Sequence, residues 1–413
     1  MKAYLDNNAT TMTAPEVVEA MRPFWSELYG NPSSIHMFGG QVKKDIERAR
    51  ERVARLLGAA PEEIVFTAGG SEGDNMAISG TLEALGPDKR HIITSRVEHP
   101  AVRSLFYHLE KRGYQISEVP VDSTGALDMN FLERALTPDT ALVSIMWANN
   151  ETGVIFPIEK IAELTAARGI VFHTDAVQSA GKIPIDMRRV PVDLLTISGH
   201  KLHAPKGIGA QFVRKGTKLV PLIIGGHQEA GKRAGTENVP GIVGLGMATE
   251  LAYTHMDEEN DRVLKLRDKL EHGLLTCCKG ARINGQNRLP NTLNISFEFI
   301  EGESILIMLD DLGISASSGS ACTSGSLEPS HVLRAMGIPF TSAHGSVRFS
   351  LSRYTTEAEI DYVLEHMPAI SERLRQISPF VPENSCGRSW SGKSLHDHGH
   401  ERDPSHAVQD RGR

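Results

Sequence analysis

The run Leu194-Leu195-Thr196-Ile197-Ser198 leads into Gly199-His200-Lys201, so a lysine stands just past what reads as a buried strand. Partial desolvation at a strand end lowers the pKa of an amine and favours the neutral form that condenses with a carbonyl to give a Schiff base. A surface lysine is the competing reading. One strand earlier, Ile170-Val171-Phe172-His173-Thr174-Asp175 delivers a carboxylate to the same edge. An amine and an acid so placed are what pyridoxal phosphate (PLP) requires, because an acid that keeps the pyridine nitrogen protonated lets the ring take up electrons from a substrate's Cα. Asp175 as a helix cap is the alternative, and the pairing with Lys201 weighs against it.

Other strand ends add to the pair. His99, in Glu98-His99-Pro100, can stack on a cofactor ring and move protons near neutral pH, or be an ordinary loop histidine. Asn150, in Trp147-Ala148-Asn149-Asn150-Glu151-Thr152-Gly153, can bond the cofactor's phenolic oxygen or form a turn. Gly69-Gly70-Ser71 opens a helix after a strand, where free N–H groups can hold a phosphate, although a glycine turn alone is weakly specific. Ser198 and His200 can complete that cup. Arg348, in Val347-Arg348-Phe349, can clamp a substrate carboxylate through two N–H groups, while Arg353 suits surface pairing. Cys322 lies among Gly and Ser in 316–326, a setting for a mobile, accessible nucleophile. Cys277 and Cys278 read as helix-end packing residues, and Cys386 belongs to the tail.

These residues need a sheet to hold them at one edge. Strand-like runs at 64–67, 91–94, 142–146, 170–173 and 194–197 alternate with helical patterns such as 102–111 and 158–167, which implies an α/β domain with a mainly parallel sheet. Ligands of such sheets gather at the carboxyl ends of the strands. A charged helix at 256–275 leads to strands at 292–299 and 346–351 and helices near 304–312 and 357–366, the pattern of a smaller α+β domain. We divide the chain into a large domain (12–255), a small domain (1–11 with 256–380) and a disordered tail (381–413) rich in Pro, Ser, Gly and His. The chain has 413 residues and a net charge of -7, with acids and bases interspersed, so no basic stripe points to nucleic acid. Neither a signal core nor a long apolar span is present, and a cytoplasmic protein with no membrane partner is expected.

Together these residues resemble the cysteine desulfurases, class V aminotransferase-like enzymes of PLP fold type I. The likeness runs from Tyr4-Leu5-Asp6-Asn7-Asn8-Ala9-Thr10-Thr11 through Gly30-Asn31-Pro32-Ser33-Ser34, Glu98-His99-Pro100, His173-Thr174-Asp175 and Ser198-Gly199-His200-Lys201 to Arg348. It implies an α/β fold in which a large domain with a mainly parallel seven-stranded sheet carries a smaller α+β domain. The long loop around Cys322 resembles the group I branch, and Met146–Gly153 with His200–Gly207 is most similar to the nitrogen-fixation type. The resemblance implies Lys201 as Schiff-base lysine, Asp175 as pyridinium partner, His99 as stacking residue, and Asn150 and Gln178 at the phenolic oxygen. Gly70, Ser71, Ser198 and His200 fall on the phosphate cup, which Thr236 would reach from a second subunit of a homodimer. Asn31 and Arg348 fall on substrate-binding positions. Cys322 would receive sulfur from L-cysteine, leaving L-alanine, and pass it to an iron–sulfur scaffold protein. There it would also be a possible iron–sulfur ligand in transfer. Ser71 stands where the family usually has Thr, and the tail has no counterpart.

Rival readings stay within reach of experiment. A general, housekeeping desulfurase, a selenocysteine lyase, a cysteine-sulfinate desulfinase or a small aminotransferase would share the fold. Gly387-Arg388-Ser389-Trp390-Ser391-Gly392-Lys393-Ser394 fits a phosphate-loop pattern but lacks the strand and helix that the motif needs. The tail histidines His396, His398, His400 and His406 suit a solvated polar segment better than a metal site.

Overall fold

The computed structural model describes residues 1–318 and 329–379. Cys322, Cys386 and the tail expected from 381 onward lie outside the described residues. Within them the strands are β1 (Ala3–Tyr4), β2 (Ile64–Thr67), β3 (His91–Ser95), β4 (Gln115–Val119), β5 (Thr140–Ser144), β6 (Val171–Asp175), β7 (Leu194–Ser198), β8 (Gly209–Val213), β9 (Ala281–Ile283), β10 (Thr292–Phe297), β11 (Ile314–Ser315) and β12 (Ser346–Ser350).

Seven of them form one sheet in the order β2-β8-β7-β6-β5-β3-β4. The neighbours from β7 through β4 run parallel, and only β8 is reversed, pairing antiparallel with β7 and β2. Six carboxyl ends therefore share one edge, which the amino end of β8 joins: Gly209 stands opposite both Thr67 and Ser198. Helices cover both faces, so β2, β3, β5, β7 and β8 are buried at every residue, which is why most read as unbroken apolar runs. Edge strand β4 is half-exposed and its polar sequence gives no such signal.

Sheet β12-β10-β9 is antiparallel, and β1 pairs parallel with β11. Leu5, Leu270, Leu293, Phe297, Phe349 and Ile360 close an apolar cluster of their own there. Several bounds differ from expectation. The strand expected at 142–146 is Thr140–Ser144, and the helix expected from 102 starts at Pro100, because His99 accepts from the Ala101 N–H and proline suits the first turn. The strand expected to reach 299 ends at Phe297; Phe299 takes φ +63°, which a strand does not allow. The charged helix at 256–275 is the later part of one helix, Val239–Cys277, so the boundary placed after 255 falls inside it. Cys278 packs in the apolar cluster as expected, but Cys277 is exposed.

The outer edge of β2 is closed by an ion pair. Arg50 donates to the Ile64 carbonyl at 2.8 Å and, through Nη1 and Nη2, to Glu229 at 2.7 and 2.9 Å; Glu229 in turn accepts the Phe66 N–H at 2.9 Å. The two side chains are 11% and 4% exposed, so the unpaired backbone of an edge strand is satisfied by groups that are themselves desolvated. Removing one partner of such a pair leaves a buried charge. Glu229→Ala should destabilise the protein by about 3–5 kcal/mol, read as a lower melting temperature. An unchanged melting temperature would show that the edge does not need the pair.

Candidate active site

A cavity of about 600 Å³ opens at the carboxyl ends of the strands, and Lys201, Asp175, His99, Asn150, Gln178, Gly70, Ser71, Ser198, His200 and Arg348 all line it. Each arrives by the local structure that its sequence dictates. Asp175 is the last residue of β6, 6% exposed, with Oδ1 accepting the Val177 N–H at 2.9 Å. Burial pushes its carboxyl up to about 6, and the Val177 N–H and Lys201 partly offset the rise. Lys201 ends the 3₁₀ turn that follows β7, and Nζ donates to the carbonyls of Asn8 and, at 2.7 Å, Ala9.

His99 caps the helix Pro100–Glu110 through Nδ1, which accepts the Ala101 N–H at 3.2 Å, so the ring proton sits on Nε2. Burial, then Lys201, push its pKa down to about 4, and the imidazole is neutral at pH 7. His200 is pushed down to about 4 by the same two causes, and its Nδ1 lies 3.2 Å from Thr10 Oγ1.

The cup is built on close backbone approach. The helix Gly70–Leu85 starts directly after Gly69, which takes φ +153°, and a Cβ on Gly209 would sit 2.8 Å from the Gly69 Cα. The free N–H groups of this helix end face the cavity beside Ser71 and Ser198. Across from them, Arg348 on β12 is 3% exposed; it donates to Asp6 Oδ1 at 2.8 Å and to the Asn150 carbonyl at 3.0 Å, while its Nε has no partner among the described residues.

Two expected residues are not brought together with the rest. Asn31 is exposed and its Oδ1 accepts the Ser33 N–H in a loop away from the cavity. Thr236 is exposed and lines a separate cleft of about 120 Å³ with Thr67, Ala68 and Arg233. Conversely, three buried acids were passed over in sequence: Asp74 and Glu151 line the cavity, and Glu98 bonds the N–H of Met146, which lines it. Asp74 lies one turn into the helix Gly70–Leu85, 3.6 Å from His173 Nε2, and burial, then Asp175, hold its carboxyl well above the usual range. Glu98 accepts from Ser95 Oγ at 2.6 Å and the Met146 N–H at 3.0 Å, and burial pushes it up to about 8. Glu151 accepts from Ser330 Oγ; burial pushes it up to about 7 against the pull of Ser330 and Arg348. Glu98 adjoins His99 and Glu151 adjoins Asn150 in the sequence, and that adjacency to candidate site residues is the available signal. Asp74 gave none.

This donor set fits PLP. A lysine amine, a buried acid, a helix N-terminus with hydroxyls for phosphate, and a guanidinium with an orphaned N–H face one cavity large enough for the ring and a small amino acid. Among the described residues no group of three or more His, Cys, Asp or Glu could hold a metal ion, and no helix is long and apolar enough to cross a membrane.

The chain belongs to the aminotransferase class-V family, whose model matches residues 3–363. Within that family it falls among the PLP-dependent cysteine desulfurases. It is 60% identical over 379 residues to the cysteine desulfurase of Nostoc sp. (strain PCC 7120), covering 91% of this chain and 94% of that protein. It is 55% identical to the cysteine desulfurase NifS of Azotobacter vinelandii, covering 94% and 95%. A solved structure titled NifS-like protein matches with a TM-score of 0.86 at 42% identity, over 91% of this chain and all of that one. The expected α/β fold with its seven-stranded, mainly parallel sheet is thereby established.

Glu98 also fixes a pH dependence. Its folded-state pKa lies above that of the unfolded chain, so the stability it contributes is complete at acid pH and is lost as pH rises from the ordinary carboxylate range through about 8. Glu98→Gln keeps an acceptor for Ser95 and Met146 but cannot ionise. The fall in melting temperature between about pH 6 and about pH 9 should therefore be smaller in this variant than in the parent. Equal falls would contradict the burial of an ionisable Glu98.

Proposed function

We propose that this chain converts L-cysteine to L-alanine and holds the released sulfur as a persulfide on Cys322, for delivery to an iron–sulfur scaffold protein. The convergence of Lys201, Asp175 and Arg348 on one cavity carries the reading. Likeness to a relative named NifS supports nitrogenase as the destination of the sulfur. A free cysteine thiol is kept reduced in a reducing compartment, so we place the reaction in the cytoplasm.

Bound PLP supplies an electron sink that makes the substrate's Cα–H acidic and its Cβ–S bond breakable. Asp175 would hold the proton on the pyridine nitrogen, and its burial would keep that charge pair strong. The N–H groups after Gly69, with Gly70, Ser71, Ser198 and His200, bind the phosphate, and Thr236 of a second copy joins them in a homodimer. Its exposure in a cleft apart from its own chain's cavity supports that role. Asn150 and Gln178 orient the ring through its phenolic oxygen. Arg348, fixed by Asp6, binds the substrate carboxylate through its remaining N–H groups. With PLP bound, Lys201 would take the Cα proton, and neutral His99 would stack on the ring with its Nε2–H free to donate.

The Cys322 thiolate then attacks the substrate sulfur: an S–S bond forms, the Cβ–S bond breaks, and its electron pair stays with the carbon skeleton. Protonation there releases alanine, and the persulfide passes on, with Cys322 a transient iron–sulfur ligand at the acceptor. The separate apolar cluster around β10 and β12 supports a small domain made of 1–11 and 256–380 beside the large domain 12–255.

Lys201→Ala should remove the visible band of the Schiff-base cofactor. Cys322→Ala should keep that band and lose sulfide release from L-cysteine by at least about 100-fold. Undiminished release from Cys322→Ala would reassign the sulfur acceptor and favour a different reaction of the same fold.

A further inference from the structure

Lys182 has no part in the steps above, yet it lies behind them. In the turn that follows Asp175, its Nζ donates to the Gln178 carbonyl at 3.0 Å and to Gln178 Oε1 at 3.1 Å. With Oε1 held by an amine, the Gln178 amide can present only its Nε2 on the other side, where it donates to the Asn8 carbonyl at 3.0 Å. The same carbonyl accepts from Lys201 Nζ. Two lysines therefore end one chain of hydrogen bonds, Lys182–Gln178–Asn8–Lys201. Both also border a small cavity of about 50 Å³ beneath the site, walled further by Glu259, Asn260 and Arg353.

The turn is pinned from the helix Val239–Cys277, where Asn260 Nδ2 donates to the Lys182 carbonyl at 2.8 Å. Burial first, then Lys201 and Arg348, push the Lys182 amine down to about 7. His200 and His203 face it as well, and each is held down in part by its charge. Glu259 is the acid on the same cavity wall, and Arg353 pairs with it at 3.1 Å. Lys182 thus brings a positive charge close to Lys201, and both of these hydrogen bonds go to the neutral Gln178.

We propose that Lys182 is a positioning residue: it fixes the Gln178 amide with its N–H2 turned toward the cofactor's phenolic oxygen, and its charge opposes a proton on Lys201. The inference rests on the assignment of Lys201 and Gln178 above. A donor kept at the phenolic oxygen and a cation kept near Lys201 act in the same direction, since both lower the proton affinity of the nitrogen on Lys201.

The test measures two midpoints in the parent, Lys182→Met and Lys182→Arg. The first is the pH midpoint of the visible absorbance of the cofactor-loaded enzyme. The second is the pH midpoint for labelling Lys201 with an amine-reactive reagent in the cofactor-free protein, read by peptide mass. Lys182→Met should raise both by about one pH unit. Lys182→Arg keeps the donor and a permanent charge, so its labelling midpoint should stay at or below the parent's. A loaded Lys182→Met enzyme with both midpoints unmoved overturns the proposal. If that variant does not fold, a labelling midpoint raised in Lys182→Arg overturns it by itself. Failure of the cofactor assignment is distinguishable, because the visible band would then survive in Lys201→Ala.

Discussion

The segment Asp6–Thr11 is the constraint on which the site depends. Asp6 fixes Arg348 at 2.8 Å, the Asn7 N–H bonds the Ser350 carbonyl of β12, the Asn8 carbonyl gathers Lys201 and Gln178, and the Thr11 N–H bonds the His200 carbonyl at 2.9 Å. One short piece of chain thus joins the lysine turn after β7 to the arginine strand. Its donors and acceptors are mostly main-chain groups, whose positions are set by the fold and do not reorganise as side chains do. Asn8 is 1% exposed, so these bonds are made out of water, where each is strong and its loss costly.

Around that frame the electrostatics follow from burial. Asp74, Glu98, Asp175 and Glu151 are pushed up, and His99, His173 and His200 are pushed down, with burial the largest cause in each case. His99 and His200 on the cavity wall are therefore neutral at neutral pH, and its acids lose their protons less readily than exposed carboxyls do. A protonated pyridine nitrogen would give Asp175 the opposite charge that its burial otherwise denies it. Cofactor binding and ionisation of that acid are linked, which explains why an acid can be kept in so dry a place.

Much of this was legible in the chain, and the reasons differ by element. Strands β2, β3, β6 and β7 are buried on both faces and read as apolar runs, and the residues that follow them fall on one edge because the strands are parallel. β4 and β8 were not legible: one is a polar edge strand and the other mixes Gly209, Ala210 and Gln211. The single helix Val239–Cys277 was split because its first half is packed and apolar and its second half charged. Asp74, Glu98, Glu151 and Lys182 were missed as a class, since a buried charged residue is recognised by its surroundings, which sequence order does not display. Asn31 and Thr236 are exposed and apart from the cavity, so their own surroundings do not mark them as site residues.

The central claim is that Lys201, and not its neighbour Lys182, carries the cofactor. Both amines border the same small cavity, and of the two Lys201 alone also lines the large one. Reduction of the cofactor-loaded protein with borohydride fixes the cofactor to its lysine, and peptide mass analysis then locates it. The account predicts the added mass on the peptide containing Lys201 alone; its appearance on the peptide containing Lys182, or on neither, would contradict it.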